Sequence, residues 1–166
     1  MIKPTFRIAG WALASLLAAS LSAQTLWPGT AAGMKIEEVQ KVFPEAHEPE
    51  NAAELPAGHG TELLELDQTV IVGHTFRVKF FFHEGQLVHV ALSETGEILV
   101  KDFEKFRDLL RAKYGLEYST TSSDSIQLDW KVIRTVIKLK WTPLRGNLAT
   151  LSITYEAPIP TETDRL

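Results

Sequence analysis

Cysteine is absent from the 166-residue chain. Without a thiol there is no lipid-bearing cysteine behind an export signal and no disulfide, so the fold has to be held by its apolar core alone. The motifs of nucleophilic and zinc-dependent hydrolysis are absent as well. No Gly-x-Ser-x-Gly and no His-Glu-x-x-His occurs, and the chain is expected not to be an enzyme. A basic excess is missing: 21 Asp and Glu face 17 Lys and Arg for a formal charge of −4, which argues against nucleic acid as a partner. Long apolar runs are missing except from Ile8 to Leu21, and about 14 residues fall short of the roughly 20 that span a bilayer.

That single run sits in the layout of a secretory signal. Lys3 and Arg7 precede it and Ser22-Ala23-Gln24 follows, so residues 1–23 are expected to be a signal peptide cut after Ala23. Export to the periplasm, or alternatively secretion, follows from this, with no stable membrane anchor after cleavage. Loss of Lys3 and Arg7 takes the charge from −4 to −6 and leaves 143 residues, enough for one domain with a real core. Residues 24–156 are assigned to that domain and 157–166, with two prolines and mixed charge, to a flexible tail.

The stretch Phe76 to Leu92 organises the rest. Apolar residues alternate along Phe76, Val78 and Phe80 and again along Val88, Val90 and Leu92, the pattern of a β-hairpin with one buried face. A three-residue loop, His83-Glu84-Gly85, would set Phe76, Val78 and Phe80 opposite Leu92, Val90 and Val88. A two-residue loop at Glu84-Gly85 would oppose aromatics to His89 and Ala91, so the longer loop is expected.

Before the hairpin, Ile36, Val39, Val42 and Phe43 share a helical face and Pro44 ends it. Residues 44–60 hold three prolines and four glutamates without apolar period, an acidic loop that is either functional or mobile. Strand character resumes at Thr61 to Leu66 and Val70 to Val72, and Gly73 suggests a bulge or corner. After a turn at Ser93 to Glu97, Leu99, Phe103, Phe106, Leu110 and Tyr114 mark a helix that Gly115 terminates. A polar linker, Glu117 to Asp124, leads to strands around Ile126 to Trp130, Val132 to Trp141 and Ala149 to Tyr155. Across a loop from Thr142 to Gly146, Leu139 is expected opposite Ala149 and Ile137 opposite Leu151. The fold class expected is α+β in the order αβββ-αβββ, an antiparallel sheet with two helices packed on one face.

If the Phe76 side is covered, the outward side carries Arg77, Lys79, Phe81, Leu87 and His89. The outward side of the 132–140 strand carries Val132, Arg134, Val136, Lys138 and Lys140. Cations without acids, interleaved with apolar groups, suit a protein partner with an acidic surface. The candidate binding residues are therefore Arg77, Lys79, Phe81, His89, Arg134, Lys138 and Lys140. The alternative is that Lys and Arg stems cover an exposed sheet and guard it against edge pairing.

Five histidines, His47, His59, His74, His83 and His89, show no convergent spacing, so neither a metal site nor a cofactor is expected. His47 and His59, in one loop with Glu48, Glu50 and Glu54, are the only set that could gather a weak divalent ion. Asp129 beside Trp130 is expected to be a strand residue next to a packed indole, not an acid catalyst.

The glycine-to-helix lead-in Gly33-Met34-Lys35-Ile36-Glu37-Glu38-Val39, followed by an antiparallel run, resembles the small outer-membrane assembly proteins of the SmpA/OmlA (BamE-like) type. Two such units in tandem resemble the β-lactamase inhibitor proteins. The resemblance covers element order over about residues 28–156 and carries no functional residue across, because the lipid-bearing cysteine and the inhibitor disulfides are both missing. It implies a sheet that serves as a protein-binding surface: an inhibitor, an immunity-type protein or an assembly accessory. The alternative is a small-ligand or metal-binding envelope protein.

Overall fold

The structure, a computed structural model, describes residues 25–96, 98–121, 124–144 and 148–158. The expected signal peptide, 1–23, lies outside them, as does the tail from residue 159 onward. In chain order the elements are α1 (Ile36–Val42), β1 (Thr61–Ile71), β2 (His74–His83), β3 (Gln86–Glu94), α2 (Val100–Tyr114), β4 (Tyr118–Thr121), β5 (Ile126–Val132), β6 (Thr135–Pro143) and β7 (Ala149–Glu156). The strands form one antiparallel sheet in the order β1-β2-β3-β7-β6-β5-β4.

This overturns the expected αβββ-αβββ class with two helices packed on a face. The chain is mostly β, its helices are only seven and fifteen residues long, and four strands follow α2. The extra strand is β4, inside the segment read as a polar linker. Tyr-Ser-Thr-Thr has no apolar alternation for periodicity to detect. The helices contribute individual side chains to the core more than a layer of their own. Phe43, just past α1, lies 5.7 Å from Phe80, and Trp27 stacks on Phe43 at 5.2 Å. From α2, Phe106 meets Phe76 edge-on at 5.5 Å and Phe103 lies 6.1 Å from Trp141.

The central hairpin differs from expectation in its loop. His83 pairs with Gln86 across the two-residue turn Glu84-Gly85, and both turn residues have positive φ, 49° and 75°, as a type I′ turn requires. The pairing that would have buried the wrong face is avoided by a bulge. Phe82 pairs with Leu87 but Phe81 with His89, so Val88 is the extra residue. Val78 and Phe80 therefore face Leu92 and Val90, two residues further along β3 than expected, and all four are buried. The bulge also turns Leu87 to the inner side, where it joins the core.

Two other connections moved for related reasons. Val72 and Gly73, with φ of 57° and 84°, form a tight turn between Ile71 and His74, not a bulge or corner. Between β6 and β7, Leu139 pairs with Ile153 and Ile137 with Tyr155. The expected register was off by four residues along β7, and both registers keep apolar opposite apolar, so alternation alone could not choose between them.

The acidic loop is held along the free side of β1. His47 bridges Glu65 and Glu54 bridges Thr61, while Glu62 N–H donates to the Ala53 carbonyl at 2.9 Å. β1 is bulged at Leu63 and between Leu66 and Thr69, which further roughens that edge.

Val72 and Ile133 are β-branched residues at φ of 57° and 56°, a conformation that costs an L-residue about 1–2 kcal/mol. Asn tolerates this region far better. Val72→Asn and Ile133→Asn should each raise stability by about 0.5–1 kcal/mol. In urea unfolding this reads as a higher midpoint with an unchanged m-value; a lower midpoint for both would show that the turns are not strained.

Candidate functional site

With Phe76, Val78 and Phe80 turned into the core, alternation sends Arg77 and Lys79 of β2 to the other face of the sheet. Register then fixes their neighbours. One row runs Lys79, Ala91, Thr154, Lys138 and a second runs Arg77, Ser93, Ser152, Lys140. Each row is a cation, two small residues and a cation. Four of the seven candidate residues, from two distant parts of the chain, thus share one face.

The other three do not join them. Phe81 and His89 are cross-strand partners on this side, with rings 5.2 Å apart and edge-on, but they are 5% and 8% exposed and present little to a partner. Arg134 sits in the Ile133–Arg134 turn between Val132 and Thr135, so the strand alternation that placed it beside Lys138 does not apply.

The face is also not free of acids, contrary to expectation. Glu65 is opposite Lys79 and Asp129 opposite Lys138. Lys79 Nζ donates to Glu62 Oε2 at 2.9 Å and Lys138 Nζ to Glu156 Oε2 at 2.7 Å. Arg77 Nε lies a looser 3.8 Å from Asp67 Oδ1. The acids come from β1, β5 and β7, whose adjacency to the cationic strands only the sheet order reveals.

At the β1 end of the face lies a cleft of about 310 Å³, lined by His47, Pro49, Glu50, Asn51, Glu65, Asp67, Arg77 and Lys79. The loop supplies its first wall and β1 and β2 the second. His47 Nδ1 is 3.0 Å from the Glu48 carbonyl and Nε2 is 3.1 Å from Asp67 Oδ2. The Glu48 carbonyl bond, reinforced by Asp67, raises the His47 pKa above 6.5. Ligand atoms of His47, Glu65 and Asp67 all lie within 4.8 Å of one another. Sequence reasoning grouped His47 with the loop's own glutamates and missed this set. Glu65 and Asp67 stand two residues apart, so a strand puts both on one side, which was the available signal.

No helix among the described residues is long and apolar enough to cross a membrane. No protein-family model matches the chain, and no curated protein or solved structure does.

Two outcomes follow from the buried charges. Glu62 is fully buried and Lys79 is its cation. Lys79→Ala should destabilise by about 2–4 kcal/mol in urea unfolding, because it strands a buried carboxylate, and Lys79→Ala with Glu62→Gln should recover much of the loss. Equal loss in single and double variants would show that packing, not charge, is at stake. Burial lowers the His89 pKa below 6.5, with Glu156 opposing and Lys138 assisting. A base with a depressed folded pKa contributes stability that is present above pH 6.5 and lost as pH falls through the folded value. Stability should therefore decline on acidification, and His89→Gln should flatten that decline in thermal melts taken from pH 7 to pH 5.

Proposed function

We propose that this chain is an exported, non-enzymatic protein of the cell envelope that binds another protein across the uncovered face of its sheet. The observation that carries this reading is the pair of rows, Lys79-Ala91-Thr154-Lys138 and Arg77-Ser93-Ser152-Lys140. Three interstrand steps separate the cations of a row by about 14 Å, and an α-helix with its side chains is about 10–12 Å across. The small residues of β3 and β7 make a floor between cationic walls, a shape suited to an acidic helix or extended segment. Lys79 and Lys138 are held by Glu62 and Glu156, so Arg77 and Lys140 are the cations with most to gain from new carboxylates. Steering by such groups acts mainly on the association rate and weakens with salt.

The cleft beside Lys79 favours a second reading, a small-ligand or metal-binding envelope protein, because polar and charged groups of both signs converge there.

A photo-crosslinking side chain at Ser93 or Ser152, used in intact cells, should capture one partner. Arg77→Glu combined with Lys140→Glu should reduce that capture by at least tenfold while thermal unfolding stays within a few degrees. Undiminished capture in the double variant, or equal capture from a probe at exposed Lys113 on α2, would remove the sheet face from consideration.

A further inference from the structure

We propose that His47, Glu65 and Asp67 form a binding site for one divalent transition-metal ion, with Zn²⁺ the ion its donors suit best. The inference rests on the cleft and not on the partner-binding reading, and the two tests fail independently.

The first ground is the donor set and its framing. One imidazole nitrogen and two carboxylates are a borderline N/O set, matched to Zn²⁺ and neighbouring first-row ions better than to Mg²⁺ or Ca²⁺, which take oxygen alone. All three residues stand on the sheet. Glu65 and Asp67 belong to β1, and His47 is fixed opposite Glu65 by a reciprocal backbone pair, His47 N–H to the Glu65 carbonyl at 3.1 Å and Glu65 N–H to the His47 carbonyl at 2.8 Å. Bonds of about 2.0–2.2 Å to a tetrahedral ion put donor atoms about 3.4 Å apart. The His47 and Asp67 atoms are already 3.1 Å apart, and the third is within 4.8 Å, so closing the shell needs one side-chain adjustment.

The second ground is independent and concerns Glu65. The residue is 8% exposed, yet it lines the cleft, and among the described residues its carboxylate accepts no hydrogen bond and joins no ion pair. Its cross-strand neighbour Lys79 turns away to Glu62. A residue more than nine-tenths buried whose carboxylate opens on a polar cleft, with no hydrogen bond and only the imidazole of His47 acting on it at a distance, is incompletely compensated. A bound divalent ion completes that compensation.

The His47 ring is set for the same role. Carbonyl and carboxylate oxygens only accept, so Nδ1–H donates to the Glu48 carbonyl and Nε2–H to Asp67, and a metal ion at the site would take the place of the Nε2 proton. Backbone orientation of one ring nitrogen is how metal-ligating histidines are commonly held. Charge does not forbid the ion. Glu50, Glu62, Glu65 and Asp67 outnumber Arg77 and Lys79 around the cleft, and the cleft leaves room for water or an anionic group in the fourth position.

The test uses purified protein stripped with chelator and titrated with Zn²⁺ by calorimetry, and with Co²⁺ by visible absorption. One ion per chain is expected, with a tetrahedral-type Co²⁺ spectrum and a Zn²⁺-dependent rise in melting temperature. His47→Ala and Glu65→Gln should each weaken Zn²⁺ at least tenfold, whereas His59→Ala, in the same loop but outside the cleft, should change nothing. His47 is exposed, so its variant keeps the test valid should Glu65→Gln fail to fold. No saturable binding, or equal binding by His47→Ala and the parent protein, or equal loss in His59→Ala, would overturn the proposal.

Discussion

The pairing of β3 with β7 is the constraint on which the architecture depends. It joins residues 89–93 to 152–156, across the longest sequence interval of any ladder in the sheet, and so fuses the β1-β2-β3 meander to the strands that follow α2. On the inner side it sets Val90 against Tyr155 and Leu92 against Ile153, all buried. On the outer side it sets Ala91 against Thr154 and Ser93 against Ser152. A slip of β7 by one residue would turn Ile153 and Tyr155 into water and set Ser152 and Thr154 against the core side of β3. The buried pairs are thus what hold the small ones in register. Closing so long an interval carries an entropy cost that only such non-local contacts repay.

The same pairing decides the electrostatics of the outer face. β2 and β6 each carry two outward cations, and β3 and β7 keep them apart with side chains too short to intervene. Each inner cation finds a carboxylate one strand away, Lys79 at Glu62 and Lys138 at Glu156. Lysine stems that guard an exposed sheet and cations that meet a partner are not exclusive roles, because the stem packs while the ammonium remains available. The cleft uses the opposite balance, with carboxylates of β1 in excess.

Much of the inside and outside of the sheet was legible from the sequence. Phe76, Val78 and Phe80 alternate with Arg77 and Lys79, and period-2 alternation has one physical meaning in a half-buried strand. The bulge at Val88 was not legible, because it shows itself only as a conflict between a two-residue loop and the apolar register. The more natural turn was correct and the strand absorbed the mismatch. Tight turns at Val72-Gly73 and Ile133-Arg134 were hidden by β-branched residues that avoid positive φ. Strand β4 was hidden by its polar sequence. The four clustered cations were identifiable one by one, but their acidic neighbours were not, since alternation says which face a residue takes and nothing about which strands adjoin. The His47, Glu65 and Asp67 set needed a bridge between a loop and a strand 18 residues on, a contact no local pattern encodes.

The two margins of the sheet are finished differently. Along β1 the chain's own loop pairs at Thr61 and Glu65, with one bulge between them at Leu63 and a second between Leu66 and Thr69. Along β4 four residues pair with β5 and, among the described residues, with no other strand. Head-to-tail polymerisation through backbone ladders requires a receptive margin on each end of every subunit. Two loop bridges and two bulges make the β1 margin the poorer template, so pairing with a second copy is favoured at β4 and chains of subunits are disfavoured.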